Sequence, residues 1–166
     1  MTMSHFLSIY LRLLKCLLTA LLAVMVVPVS LQIVSRYTGL IPKYIWTEEI
    51  SRFCFVWMIM VGSVVAVKDE THFEVDLLPM PNEPRGRAKS RLVVHVLMAV
   101  MGLVFAGFGY EFARFGFAQR SEMSGINMAT IYASFPFAGL SWCLFLSEKI
   151  RTDLAVVFRD EEKRQV

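Results

Sequence analysis

The stretch from Leu92 to Tyr110, LVVHVLMAVMGLVFAGFGY, runs for 19 residues without an Asp, Glu, Lys or Arg. A helix rises about 1.5 Å per residue and the hydrocarbon core of a bilayer is about 30 Å thick, so a run of about 20 apolar residues is a membrane span. Working outward, three more uncharged runs appear: Cys16 to Ser35 with 20 residues, Phe53 to Val67 with 15, and Met123 to Ser147 with 25. The whole chain of 166 residues is 56% hydrophobic and only 19% charged, with a mean hydropathy of +0.55. That exceeds what one soluble core needs. The reading is an all-α integral membrane protein, one membrane domain over 1–166, with four transmembrane helices at about 13–36, 44–67, 90–117 and 124–148. The second run is short and must borrow its first turns from the charged stretch 44–52.

What remains outside the membrane is small. Neither the connection 68–91 nor the tail after Ser147 can bury an independent core, so any activity sits within or between helices. No Gly-rich phosphate loop, His-Glu-x-x-His or Cys-x-x-Cys occurs, which argues against an enzyme and against ATP hydrolysis by this chain. No catalytic residue, metal ligand or cofactor is expected. Cys16, Cys54 and Cys143 each sit in an apolar run, an odd set without paired spacing, and read as small core residues.

The charges are sorted by side. With four spans, the N-terminus, the second connection and the C-terminus share one face; they carry twelve Lys and Arg against five on the other. The excess predicts both termini in the cytoplasm. A cleaved signal peptide is the competing reading of the N-terminus, but its apolar run is long and ends at Ser35-Arg36 without a small-x-small site. Pro28 is expected to kink the first helix and Pro136 to bend the fourth near its middle.

Polar residues at the membrane are costly and therefore candidates for function. The densest group opens the second helix: Trp46, Thr47, Glu48, Glu49, Ile50, Ser51 and Arg52. At about 3.6 residues per turn, Glu48, Glu49 and Arg52 share one face, with Trp46, Ile50, Phe53 and Trp57 on the opposite one. Glu48 to Arg52 is an i,i+4 pair and Glu49 to Arg52 an i,i+3 pair. Two readings stand side by side. The turn is a solvated helix start, its acids complementing the dipole; or it is drawn into the membrane against protein, where Arg and carboxylates set a docking register.

The third helix carries a seam of small residues, Ala99, Gly102, Ala106, Gly109, Ala113 and Gly116, spaced 3, 4, 3, 4 and 3 apart. Small residues in phase let two helix backbones approach where the solvent is already apolar. Whether the seam meets this chain's own helices or another subunit is open. The helix is expected to project beyond the bilayer with Glu111 and Arg114 paired. His95, one turn into this helix, reads as an interfacial histidine; a haem ligand would need a facing histidine, and only His72 in the polar connection is near. Pro79, Pro81 and Pro84 are expected to stop regular helix there. Arg85, Arg87, Lys89 and Arg91 follow, at anionic lipid headgroups worth about 1 kcal/mol each. The charged tail, 159–166, is expected to be disordered.

Ser35-Arg36-Tyr37, Trp46-Thr47-Glu48-Glu49 followed by Arg52, Phe55-Val56-Trp57, Gly62, and His72 with Val75-Asp76 together resemble the small membrane subunit (DctQ-type) of tripartite ATP-independent periplasmic (TRAP) transporters. The resemblance covers about Leu31 to Leu78, and the four-helix plan fits the rest. It implies a bacterial inner-membrane protein. Its partners would be a large DctM-type permease, which moves solute and sodium, a DctP-type periplasmic binding protein delivering a carboxylate, and membrane lipids, with no nucleic acid. It implies a scaffold role and marks Arg36, Trp46, Glu48, Glu49, Arg52, Trp57, His72 and Asp76 as motif positions for docking or structure. No helix places an unpaired charge at mid-membrane depth, where a self-sufficient ion-coupled transporter would be expected to have one. The rival readings are a small homodimeric exporter, which lacks the acid it would need in its first helix, and a haem-bearing or quinone-reactive anchor.

Overall fold

The computed structural model describes residues 2–39, 44–69, 84–121 and 125–162. They form five helices: α1 (Thr2–Thr38), α2 (Ile45–Asp69), α3 (Pro84–Phe117), the single turn α4 (Ala129–Tyr132) and α5 (Ser134–Glu162). Four segments are long and apolar enough to cross a bilayer: His5–Thr38, Trp46–Asp69, Ser90–Phe117 and Ala129–Ala155. The all-α, four-span fold is the one the uncharged runs demand. The end carrying both termini is called here the terminal end, and the other the loop end.

The helices outrun their apolar runs, for identifiable reasons. α1 starts at Thr2 because its first turns carry Leu7, Tyr10 and Leu11, which pack on the core. Pro84 does not stop helix; it opens α3, where a missing N–H costs nothing and the fixed φ already suits a helix. The connection therefore shrinks, and its residues 70–83, His72 and Asp76 among them, lie outside the described residues. In the fourth span the break falls at Ala133, near the start and not the middle. Pro136 has no N–H for the Tyr132 carbonyl, and α5 runs on so far past it that the weak point is left at one end. The backbone of the charged tail continues as helix to Glu162, where disorder is the sequence expectation.

One glycine closes a helix and another shapes a connection. Gly39, at φ 63°, donates its N–H to the Ser35 carbonyl at 3.3 Å and ends α1 in the left-handed conformation that a side chain resists. Gly125, at φ 69°, lies in a turn and not in the fourth helix. Around it the connection doubles back, Arg120 bridging Asn127, before the Asn127 side chain accepts from Ala129 N–H at 2.9 Å to start α4.

The helices make an open row. α1 lies along α2, α2 on α5, and α5 on α3 over the longest contact, with nothing comparable between α1 and α3. One core, Leu7, Leu14, Val61, Val64, Ala138 and Phe145, joins the first three of these. There Tyr10 shares a 2.7 Å hydrogen bond with Ser141 and stacks on Phe145 at 5.6 Å. The row leaves large apolar side chains facing outward, among them Leu13 and Val27 on α1 and Leu97, Leu103 and Phe108 on α3. In water such faces would drive collapse; in lipid they cost little.

Candidate functional site

The first turn of α2 separates its two acids. Arg52 Nη2 donates to Glu48 Oε1 at 3.0 Å, with both side chains 59% and 64% exposed. Glu49 does not join them. It turns toward the α3–α4 connection, where the Ser121 hydroxyl donates to its Oε1, while its Oε2 is buried without a partner among the described residues. The shared face holds in angle only. One acid makes an open surface pair, and the other fastens a loop.

The rest of the motif divides the same way. Gln32 of α1 donates to Thr47 Oγ1 at 3.3 Å and Ser51 Oγ at 3.4 Å, and Thr47 is buried, so the hydroxyl residues flanking the acids tie α2 to α1. Trp57 donates its indole N–H to the Thr130 carbonyl at 3.0 Å and packs on Phe53 and Phe137, an internal role. Arg36 is exposed in the last turn of α1, and Trp46 is half exposed beside Tyr44. Outward on this end, then, stand Arg36, Trp46, Glu48 and Arg52. A polar cleft of ≈ 410 Å³ opens beside them, lined by Glu48, Glu49, Arg52, Arg120 and Ser121. Ser121 has no signal in the sequence, because a serine in a polar loop is ordinary. The expected Glu111–Arg114 pair is not formed; both side chains are exposed.

The small-residue seam of α3 meets this chain's own fourth span. A Cβ built on Gly102 would lie 3.1 Å from Cys143 Sγ and 3.3 Å from the Gly139 carbonyl oxygen; one on Gly109, 2.8 Å from Pro136 N; one on Gly116, 2.8 Å from Ala129 Cα. Ala113 is buried and Ala99 and Ala106 half-buried along the same line. Gly107, outside the seam, has nothing within 4 Å of such a Cβ. From α5, Gly139 answers the seam: its Cβ would collide with Ala106 N and lie 2.6 Å from Gly102 O. The two backbones are in contact, as small residues permit.

His95 is also paired, its Nδ1 lying 2.7 Å from Asp153 Oδ2 on α5. Among the described residues no group of three metal-binding side chains comes together.

Compared with known families, residues 25–156 match the DctQ component of the tripartite ATP-independent periplasmic transporters. The chain belongs to that family. It is therefore a small subunit of a TRAP transporter and not an enzyme, and with four spans it is a multi-pass protein of the bacterial inner membrane. Relatives include a TRAP transporter small permease protein of Haemophilus influenzae, 27% identical over 163 residues and 98% of both chains. The sialic acid TRAP transporter small permease protein SiaQ of Vibrio cholerae is 27% identical over 136 residues, 81% of this chain and 75% of its own. The sialic acid TRAP transporter permease protein SiaT of H. influenzae is 30% identical over 105 residues, 63% of this DctQ chain but only 17% of the longer protein.

Proposed function

We propose that this DctQ-family chain is the fixed scaffold of a sodium-driven, binding-protein-dependent uptake system for a carboxylate-type solute. It stands against a large DctM-type permease and beneath a DctP-type periplasmic binding protein. The observation that carries the reading is the open row. Edge helix α3 packs chiefly on α5 and α1 chiefly on α2, while large apolar side chains such as Leu13, Val27, Leu97, Leu103 and Phe108 face outward, which offers a wall for another membrane subunit. The SiaT relative supports the partnership, since a region like this chain is one part of a longer permease. Two relatives are named for sialic acid, itself a carboxylate. On this reading Arg36, Trp46, Glu48 and Arg52 are docking groups.

Reconstitution tests it. The chain alone in liposomes is expected to move no carboxylate under a sodium gradient. Together with the large permease and binding protein it is expected to support uptake, and omitting it should abolish that uptake. Sodium-driven transport by this chain alone would overturn the scaffold.

The orientation we propose places both termini in the cytoplasm, from the twelve-to-five split of Lys and Arg. A reporter active only in the periplasm, fused after Gly39 or after Gln119, should be active, and one fused after Pro81 silent. The reverse pattern would invert the topology.

A further inference from the structure

At the terminal end each junction of the row is closed by one pair of polar side chains, two of them Lys–carboxylate and one His–carboxylate. Lys15 of α1 meets Asp69 of α2 at 2.8 Å, Lys68 of α2 meets Glu148 of α5 at 3.0 Å, and Asp153 of α5 meets His95 of α3 at 2.7 Å. The two edge helices contribute one group each and the two inner helices two each. Lys149 adds a bond to the Val67 carbonyl at 2.9 Å, between the same inner pair. At the loop end Gln32 bonds Thr47 and Ser51, and Trp57 bonds Thr130, all through uncharged groups.

An open row in lipid has a specification problem. Apolar burial does not choose neighbours where the solvent is itself apolar: α1 could slide by a turn and still present Leu and Val, and α3 could slide by a turn and still present small residues of its repeating seam. A charge pair at the membrane is selective, because a wrong register strands both ions in a poor solvent. The exposure of the pairs falls across the row, from 50% and 35% for Lys15 and Asp69 to 11% and 13% for His95 and Asp153.

We infer that this ladder of paired side chains sets the order and register of the helices in the membrane, and that His95 and Asp153 form its decisive rung, fixing α3 on α5 so that the small-residue seam meets Gly139. This goes beyond docking to any partner and is independent of it.

The native Cys143 supplies a readout, because its Sγ lies 4.0 Å from the Ala99 carbonyl oxygen. In the full chain in membranes, with Cys16→Ala and Cys54→Ala, the Ala99→Cys substitution should allow oxidative cross-linking to Cys143. Asp153→Ala is expected to lower that cross-link at least about tenfold. The exchange His95→Asp with Asp153→His should restore it. The apolar pair His95→Leu with Asp153→Leu should keep the chain in the membrane and leave the cross-link low, since packing survives while register is lost. Should Asp153→Ala fail to accumulate, the two double variants decide. An unchanged cross-link in Asp153→Ala, a low one in the exchange, or a full one in the apolar pair would each overturn the inference.

Discussion

Gly139→Leu is expected to abolish accumulation of the chain in the membrane, while Gly107→Leu is expected to leave it near wild type. Both substitutions add the same bulk and the same apolarity to a membrane helix, so lipid solvation cannot separate them. Their neighbours do. A side chain at Gly139 meets Ala106 N, Gly102 O and Phe105 C, all backbone of α3, and at Gly107 it meets nothing. Overpacking against side chains costs about 1–3 kcal/mol because rotamers can yield. Backbone has no rotamer to change, so α3 and α5 must move apart along their whole contact and lose dispersion over several turns. Gly139→Ala already places the offending Cβ and should lower the thermal midpoint in detergent. Gly109→Leu should follow, being opposed by Pro136 N at 2.8 Å. Accumulation by immunoblot and unfolding in detergent are the measurements, and equal tolerance at positions 107 and 139 would show that the close approach is unimportant.

The second large effect separates the two acids in the first turns of α2. Arg52→Ala is expected to leave the isolated chain as stable as wild type, because an ion pair this exposed is worth about 0–1 kcal/mol. Its cost should appear only in the complex. If Arg52 is drawn against the large permease, truncation strands charge in a desolvated interface at about 2–5 kcal/mol. Co-purification should then fall at least about tenfold, the equivalent of about 1.4 kcal/mol. Glu49→Ala is expected to do the reverse. It removes the acceptor for Ser121 and loosens the α3–α4 connection, lowering the stability of the chain itself by about 1–3 kcal/mol. Thermal unfolding of the isolated chain and pull-down with the permease measure the two losses separately. An Arg52→Ala chain that assembles and supports uptake normally would reduce the turn to a solvated helix start.

The four spans, their approximate limits and the small-residue seam were legible because each is a property of one segment read along the chain. Bilayer thickness measures the apolar runs, and a spacing of 3 and 4 marks one face of a helix whatever lies opposite. Helix ends were less legible: Pro84 reads equally as a stop or as a first residue, and only the chain beyond it decides. The loop-end site was half legible. Glu48 and Arg52 are near in sequence and their pair follows from helix geometry. Glu49 has the same local option and leaves it for Ser121, 72 residues away.

By itself, then, the sequence determined a four-span DctQ-type membrane chain whose charges gather at the ends and whose third helix is built for close approach. The tertiary structure alone decided that the seam meets Gly139 of α5, that Glu49 fastens a loop, that His95 is held by Asp153, and that the spans stand as an open row in the order α1, α2, α5, α3. The division has one physical cause. Transfer into a bilayer depends on the composition of a segment and can be summed along it. The choice of neighbour in an apolar solvent gains nothing from composition, and rests on backbone contacts and paired polar groups brought together from distant parts of the chain.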